Sequence, residues 1–110
     1  MKQVIRPAAR QDILGQFLYL LENNAPAAAA QFLEAVEATI SKLSKQPTLG
    51  APKKFRNPRL QGLRRWPVDG FEVIGIYYLL AENTFRVIRV LHGKRDVERI
   101  LNEQTEQPPG

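Results

Sequence analysis

Val73-Ile74-Gly75-Ile76-Tyr77-Tyr78-Leu79-Leu80, then Ala81-Glu82-Asn83-Thr84, then Phe85-Arg86-Val87-Ile88-Arg89-Val90-Leu91-His92, is the stretch whose reading decides the fold. Two runs rich in β-branched and aromatic residues flank a short polar turn, the pattern of two paired, well-buried strands. The second run carries Arg86 and Arg89, ends on the only histidine of the chain, and breaks at Gly93. A buried hairpin therefore holds cations in fixed register.

Asp69-Gly70, just upstream, is a strong two-residue hairpin signal. It joins a strand expected over Leu63–Val68 to one over Phe71–Leu80, which makes a three-strand antiparallel meander with Phe85–His92. Pro67 cannot donate to a ladder, so the first of these strands is expected at an edge or ending there. Strict alternation puts Ile74, Ile76, Tyr78 and Leu80 on one face and Phe71, Val73, Tyr77 and Leu79 on the other. A strand apolar on both faces is covered on both or lies mid-sheet.

The cover comes from the N-terminal half. Pro7 suits a first helical turn, and Ala9, Ile13, Phe17, Leu20 and Leu21 recur at helical spacing, with Leu14 and Leu18 widening the stripe. Asn23-Asn24-Ala25 interrupts the pattern, and Pro26 opens a second helix with Ala29, Phe32, Leu33, Val36, Ile40 and Leu43 on its apolar face. So short a link forces an antiparallel helical hairpin. Lys2–Arg6 reads as an extended opening, Thr48–Arg59 as loop, and Val97, Ile100 and Leu101 as anchors of a short last helix. The expected fold is α+β: an N-terminal strand, an antiparallel helical hairpin packed on a small, mainly antiparallel sheet, and a short C-terminal helix. One domain is expected over 1–103, with 104–110 a flexible tail.

Composition narrows the function. With 110 residues and 44% hydrophobic content, one domain with a modest core is expected. The absence of cysteine excludes disulfides and thiolate metal sites. No phosphate-binding glycine loop, metal-ligand cluster or nucleophile triad can be defended, so no cofactor and no metal are expected. No apolar run is long enough for a signal peptide or a membrane span, so the expected location is the cytoplasm, with no membrane partner. Sixteen Lys and Arg oppose eleven Asp and Glu, for a net charge of +5. Between Glu37 and Asp69 no acid occurs, while Lys42, Lys45, Lys53, Lys54, Arg56, Arg59, Arg64 and Arg65 do. Such a concentration favours an acidic protein or a polyanion as partner.

The run from Phe85 to Asp96 resembles the C-terminal signature of the ParE toxins, within the RelE/ParE superfamily of bacterial toxin–antitoxin modules. Pro7-Ala8-Ala9-Arg10-Gln11-Asp12-Ile13 is similar to the opening of that family's first helix. Pro47-Thr48-Leu49-Gly50 resembles its inter-element turn, and Leu60–Val68 its second strand. Together these pieces run from Val4 to about Leu101. The resemblance implies a non-catalytic poison of DNA gyrase, neutralised by a cognate ParD-like antitoxin, whose acidic residues would pair with arginines here. The residues expected to meet antitoxin or target are Arg64, Arg65, Trp66, Arg89, His92 and Arg95.

The alternative is a RelE-like messenger RNA endoribonuclease. In that subgroup activity depends on basic residues of the loop and strands plus an acid or base near the C-terminus. The corresponding set is Lys53, Lys54, Arg65, Arg89 and His92; no tyrosine follows Tyr78, and Glu72 is the nearest guess at a carboxylate for His92. Cleavage needs an activated 2′-hydroxyl, a protonated leaving oxygen and neutralised charge. The sequence supplies the third well and the others poorly. Direct nucleic-acid binding is therefore possible but less favoured than a protein partner.

Overall fold

The computed structural model describes residues 2–103; the tail expected over 104–110 lies outside them. In chain order the elements are β1 (Lys2–Ile5), α1 (Pro7–Glu22), α2 (Pro26–Lys45), β2 (Ala51–Pro52), β3 (Arg64–Val68), β4 (Phe71–Ala81), β5 (Thr84–His92) and α3 (Val97–Asn102). Short 3-10 turns occupy Pro47–Leu49 and Pro58–Leu60. The sheet order is β1-β5-β4-β3-β2. β1 pairs with β5 in parallel and every other pair is antiparallel. The expected α+β arrangement is the one observed. β2 is an addition, a two-residue strand within the segment read as loop.

Pro7 and Pro26 both sit at helix starts, where a missing N–H leaves no bond unmade. The link between the helices is Asn23-Asn24-Ala25, with Asn24 in the left-handed region at φ 57°. β2 ends opposite Arg64 and Arg65, so Pro67 has a strand neighbour on one side only, at Gly75. That resolves how a proline fits inside this strand.

Two register shifts correct the expected faces. Val68 pairs with Phe71 but Pro67 pairs with Gly75, so β4 carries extra residues just after the Asp69-Gly70 turn. Phe71 is thereby turned to the helical side, against the alternation expected for it. There it meets Phe32 edge-to-face, with ring centroids 5.4 Å apart. Val73 is left 58% exposed. A second shift pairs Tyr77 with Arg89 and Tyr78 with Val87, leaving Ile88 as an extra residue of β5. Bulges of this kind change which face a side chain reaches.

The result is two cores. The first lies under the helices and joins Phe32, Val36, Ile40 and Leu43 of α2 to Ile74, Ile76, Tyr78, Phe85, Val87 and Val90. The second lies on the opposite face and joins Leu60, Leu63, Tyr77, Ile88 and Leu91 to Leu101 of α3. Thr39, buried in α2, donates to the Ala35 carbonyl and accepts the Asp69 N–H at 3.2 Å, which fixes α2 on the β3–β4 turn.

Tyr78 ties the first core to the loop after α2. Its hydroxyl donates to the Pro47 carbonyl at 2.6 Å and accepts the Gly50 N–H at 2.9 Å. A side chain at Gly50 would collide with the Tyr78 ring. Burial, the largest influence, pushes the Tyr78 phenol above its ordinary value of 10.0, against smaller downward pulls from the Gly50 hydrogen bond and Arg64. An acid whose folded value is raised stabilises the fold fully below its unfolded value, and that contribution is lost as pH rises beyond it. Tyr78→Phe should cost about 1–3 kcal/mol at neutral pH in urea denaturation, because two buried polar groups lose a partner. The gap between wild type and variant should narrow above about pH 10.

Candidate functional site

On α1 the apolar side chains are spread around the axis, whereas α2 gathers them on one side. On α1, Ala9, Ile13 and Leu20 turn to the core. Leu14, Leu18 and Leu21 point away from it and remain 49%, 44% and 39% exposed. Their i, i+4, i+7 spacing makes them one ridge along the helix. A helix apolar on two sides needs cover on both, and this chain covers one.

Beside the ridge lies a cleft of about 360 Å³ between α1 and the end of the β4–β5 hairpin. Gln11, Asp12, Gly15, Gln16 and Tyr19 line it from α1; Ile74, Val90, His92 and Arg95 line it from the sheet side. Gly15 has no strained backbone to explain it. A Cβ built there meets nothing within 4 Å, so the helix surface between ridge and cleft is open at this point.

The cleft is held by an ion pair that sequence reading missed. The Asp12 carboxylate grips Arg89 in a fork, Oδ2 to Nε at 2.7 Å and Oδ1 to Nη2 at 2.8 Å. Its Oδ2 also accepts the Val90 N–H at 3.0 Å. The side chains are 5% and 15% exposed. Asp12 is the sole acid before Glu22, and that isolation was the available signal.

His92 is also fixed. Gly93 N–H donates to the Val73 carbonyl at 2.7 Å, and Arg95 N–H donates to the His92 carbonyl at 3.0 Å. Lys94 N–H donates to His92 Nδ1 at 3.1 Å. With Nδ1 accepting, the neutral ring carries its proton on Nε2 and offers a donor. The Arg95 side chain is exposed at the rim. The cleft thus has an apolar floor and a rim of donors and positive charge, with its own carboxylate already neutralised.

Of the residues expected at a contact surface, the structure brings His92 and Arg95 together, holds Arg89 on Asp12 of the same cleft, and disperses Arg64, Arg65 and Trp66. Arg64 donates to the Gly50 carbonyl at 2.6 Å and the Thr48 carbonyl at 3.3 Å. Arg65 lies over the Tyr77 ring, 5.9 Å from its centroid, on the face away from the helices. Trp66 packs against the first core, with Lys42 5.3 Å from its ring centroid. Lys42 also pairs with Asp69 at 3.1 Å. Lys53 and Lys54 stand in a separate loop beside Leu60 and Leu63. Glu72 accepts the Gly70 N–H at 2.8 Å, inside its own turn. Among the described residues no group of three or more His, Cys, Asp or Glu could hold a metal ion. Nor is any described helix long and apolar enough to cross a membrane.

Comparison with known proteins matches this architecture. The family model for the ParE toxin of type II toxin–antitoxin systems, parDE, matches residues 4–97. The chain belongs to the ParE toxin family. A solved structure described as a chromosomal ParDE toxin–antitoxin system from P. aeruginosa is similar to this ParE-type toxin, with a TM-score of 0.68 and 13% identity. The match covers 84% of this chain and 95% of that one. At such identity the likeness speaks for the fold. No curated protein matches the chain.

Two substitutions check the geometry of this ParE-type site. Asp12→Ala should cost about 1–3 kcal/mol in urea denaturation, because the buried Val90 N–H loses its acceptor and Arg89 loses its carboxylate fork. Gly15→Ala should stabilise by about 0.5–1 kcal/mol, because it removes a mid-helix glycine where space is free.

Proposed function

We propose that this ParE-type toxin acts by binding. In this reading a ParD-like antitoxin covers the Leu14–Leu18–Leu21 ridge with an amphipathic helical segment. An acidic side chain of that segment crosses Gly15 and meets His92 Nε2–H and the Arg95 guanidinium. The observation that carries this is the adjacency of an exposed leucine ridge to a cleft rimmed by donors. Apolar anchors supply affinity in helix-in-groove recognition, and charge sets register and partner choice.

The proposed target is DNA gyrase, as the family resemblance implies, with the cytoplasm as the place of action. Three features support poisoning over RNA cleavage. His92 Nδ1 is occupied by Lys94 N–H, so the neutral ring offers a donor where a general base is needed. The carboxylate nearest that cleft, Asp12, is spent on Arg89 and Val90. Lys53, Lys54 and Arg65 belong to the surroundings of the second core, on the other face of the sheet.

The purified chain should abolish supercoiling by gyrase and trap cleaved DNA, while transcripts incubated with it stay intact. Cut transcripts with unimpaired gyrase would overturn the reading. For the antitoxin surface, Leu18→Asp should weaken capture of a ParD-like antitoxin by at least about 2 kcal/mol, roughly 30-fold, in calorimetry. Gly15→Trp should block that crossing and weaken capture similarly without loss of fold, as judged by circular dichroism.

A further inference from the structure

The segment from Lys53 to Leu63 leaves the sheet and returns to it, closed by Lys53 N–H donating to the Leu63 carbonyl at 2.9 Å. Compact loops with joined ends are frequent sites of function. This one is pinned from outside by α3. Asn102 Oδ1 accepts the N–H of Arg56 at 2.8 Å and of Asn57 at 3.2 Å. Asn57, itself buried, donates through Nδ2 to the Leu101 carbonyl at 3.2 Å and accepts the Arg59 N–H at 3.0 Å. A polar surface loop is thereby held in one conformation.

Within the loop lies a cavity of about 430 Å³. Pro52, Phe55, Leu60 and Leu63 give it apolar walls, and Lys53 and Lys54 stand among its lining residues. The loop carries Arg56 and Arg59 as well, four cations in seven residues. No lining residue is acidic. The other three described cavities each have a carboxylate in the wall, from Asp96, Asp12 and Glu37 among others. Among the four described cavities this one alone has cations in its lining and no carboxylate.

We propose that this loop binds single-stranded nucleic acid, with one base in the cavity against Phe55 and the flanking phosphates on Lys53 and Lys54. The volume is within the range of small-ligand sites, and a planar ring fits walls of proline, phenylalanine and leucine. Gln61, exposed at the mouth, offers an amide donor and acceptor to a base edge. A duplex keeps its bases stacked and presents none to a concave pocket, whereas a single strand can splay one out. An acidic peptide would satisfy the lysines but brings no planar body for the cavity. The proposal is independent of antitoxin and gyrase.

Its test is fluorescence anisotropy of the full chain with labelled (dT)12 and (rU)12 at several salt concentrations. Binding to one or both is expected, with log affinity falling against log salt at a slope of about −1.4 for two phosphates. Lys53→Glu with Lys54→Glu should abolish binding. Phe55→Ala should weaken it roughly tenfold. Asn102→Ala should weaken it while leaving Lys53 and Lys54 in place, because it releases the loop. Any of three results overturns the proposal: no binding of either oligomer, equal binding by the double charge reversal, or a duplex or polyglutamate bound as tightly as the single strand.

Discussion

One carboxylate holds the two layers of this protein in register. β1 ends at Ile5, and Arg6 N–H still reaches the Val87 carbonyl of β5. Beyond that point the β5 edge has no strand beside it, and its next N–H on that side is that of Val90. Asp12, from the second turn of α1, accepts this N–H and so stands in for the missing strand. A buried N–H without a partner would cost about 1–3 kcal/mol. A carboxylate buried to satisfy it would cost more, and Arg89, from the same strand, neutralises it. The start of α1 is thereby fixed on β5, and Gly15 and Tyr19, one turn and two turns on, are held opposite His92.

The two bulges have a comparable reach. Without the shift after the Asp69-Gly70 turn, Phe71 would face away from Phe32. Without the extra residue at Ile88, alternation from Val87 would put Val90 and Leu91 each on the face opposite to the one it occupies. A short sheet consequently carries packed side chains on both faces: helices α1 and α2 close one, and α3 with the Lys53–Leu63 loop closes the other. Each cover leaves a concave surface at its margin. One is rimmed by His92 and Arg95 beside exposed leucines, the other by lysines around an apolar cavity.

Membership of the ParE toxin family implies an antitoxin partner. The chain folds with its first helix covered on one side only, although that helix is apolar on two. Such a ridge is costly for a lone protein and useful for one that meets a partner. A fixed donor at His92 and an exposed guanidinium at Arg95 add direction to that apolar attraction.

The element types and their order could be read from the chain. Pro7, Pro26, the Asn23-Asn24-Ala25 break and the Asp69-Gly70 turn act through local backbone sterics, which need no tertiary context. The β-branched runs of β4 and β5 likewise announce themselves by composition. The facing of Phe71 and Val73 could not be read, because alternation assumes an unbroken ladder and the bulge depends on β3. The use of the arginines was equally hidden. Arg64, Arg65 and Arg89 look alike in sequence, yet carbonyls after α2 engage one, a tyrosine ring underlies another and Asp12 grips the third. Local propensity is a property of neighbours along the chain. The fate of a long charged side chain is set by groups that only folding brings within a few ångströms, and 77 residues separate Asp12 from Arg89.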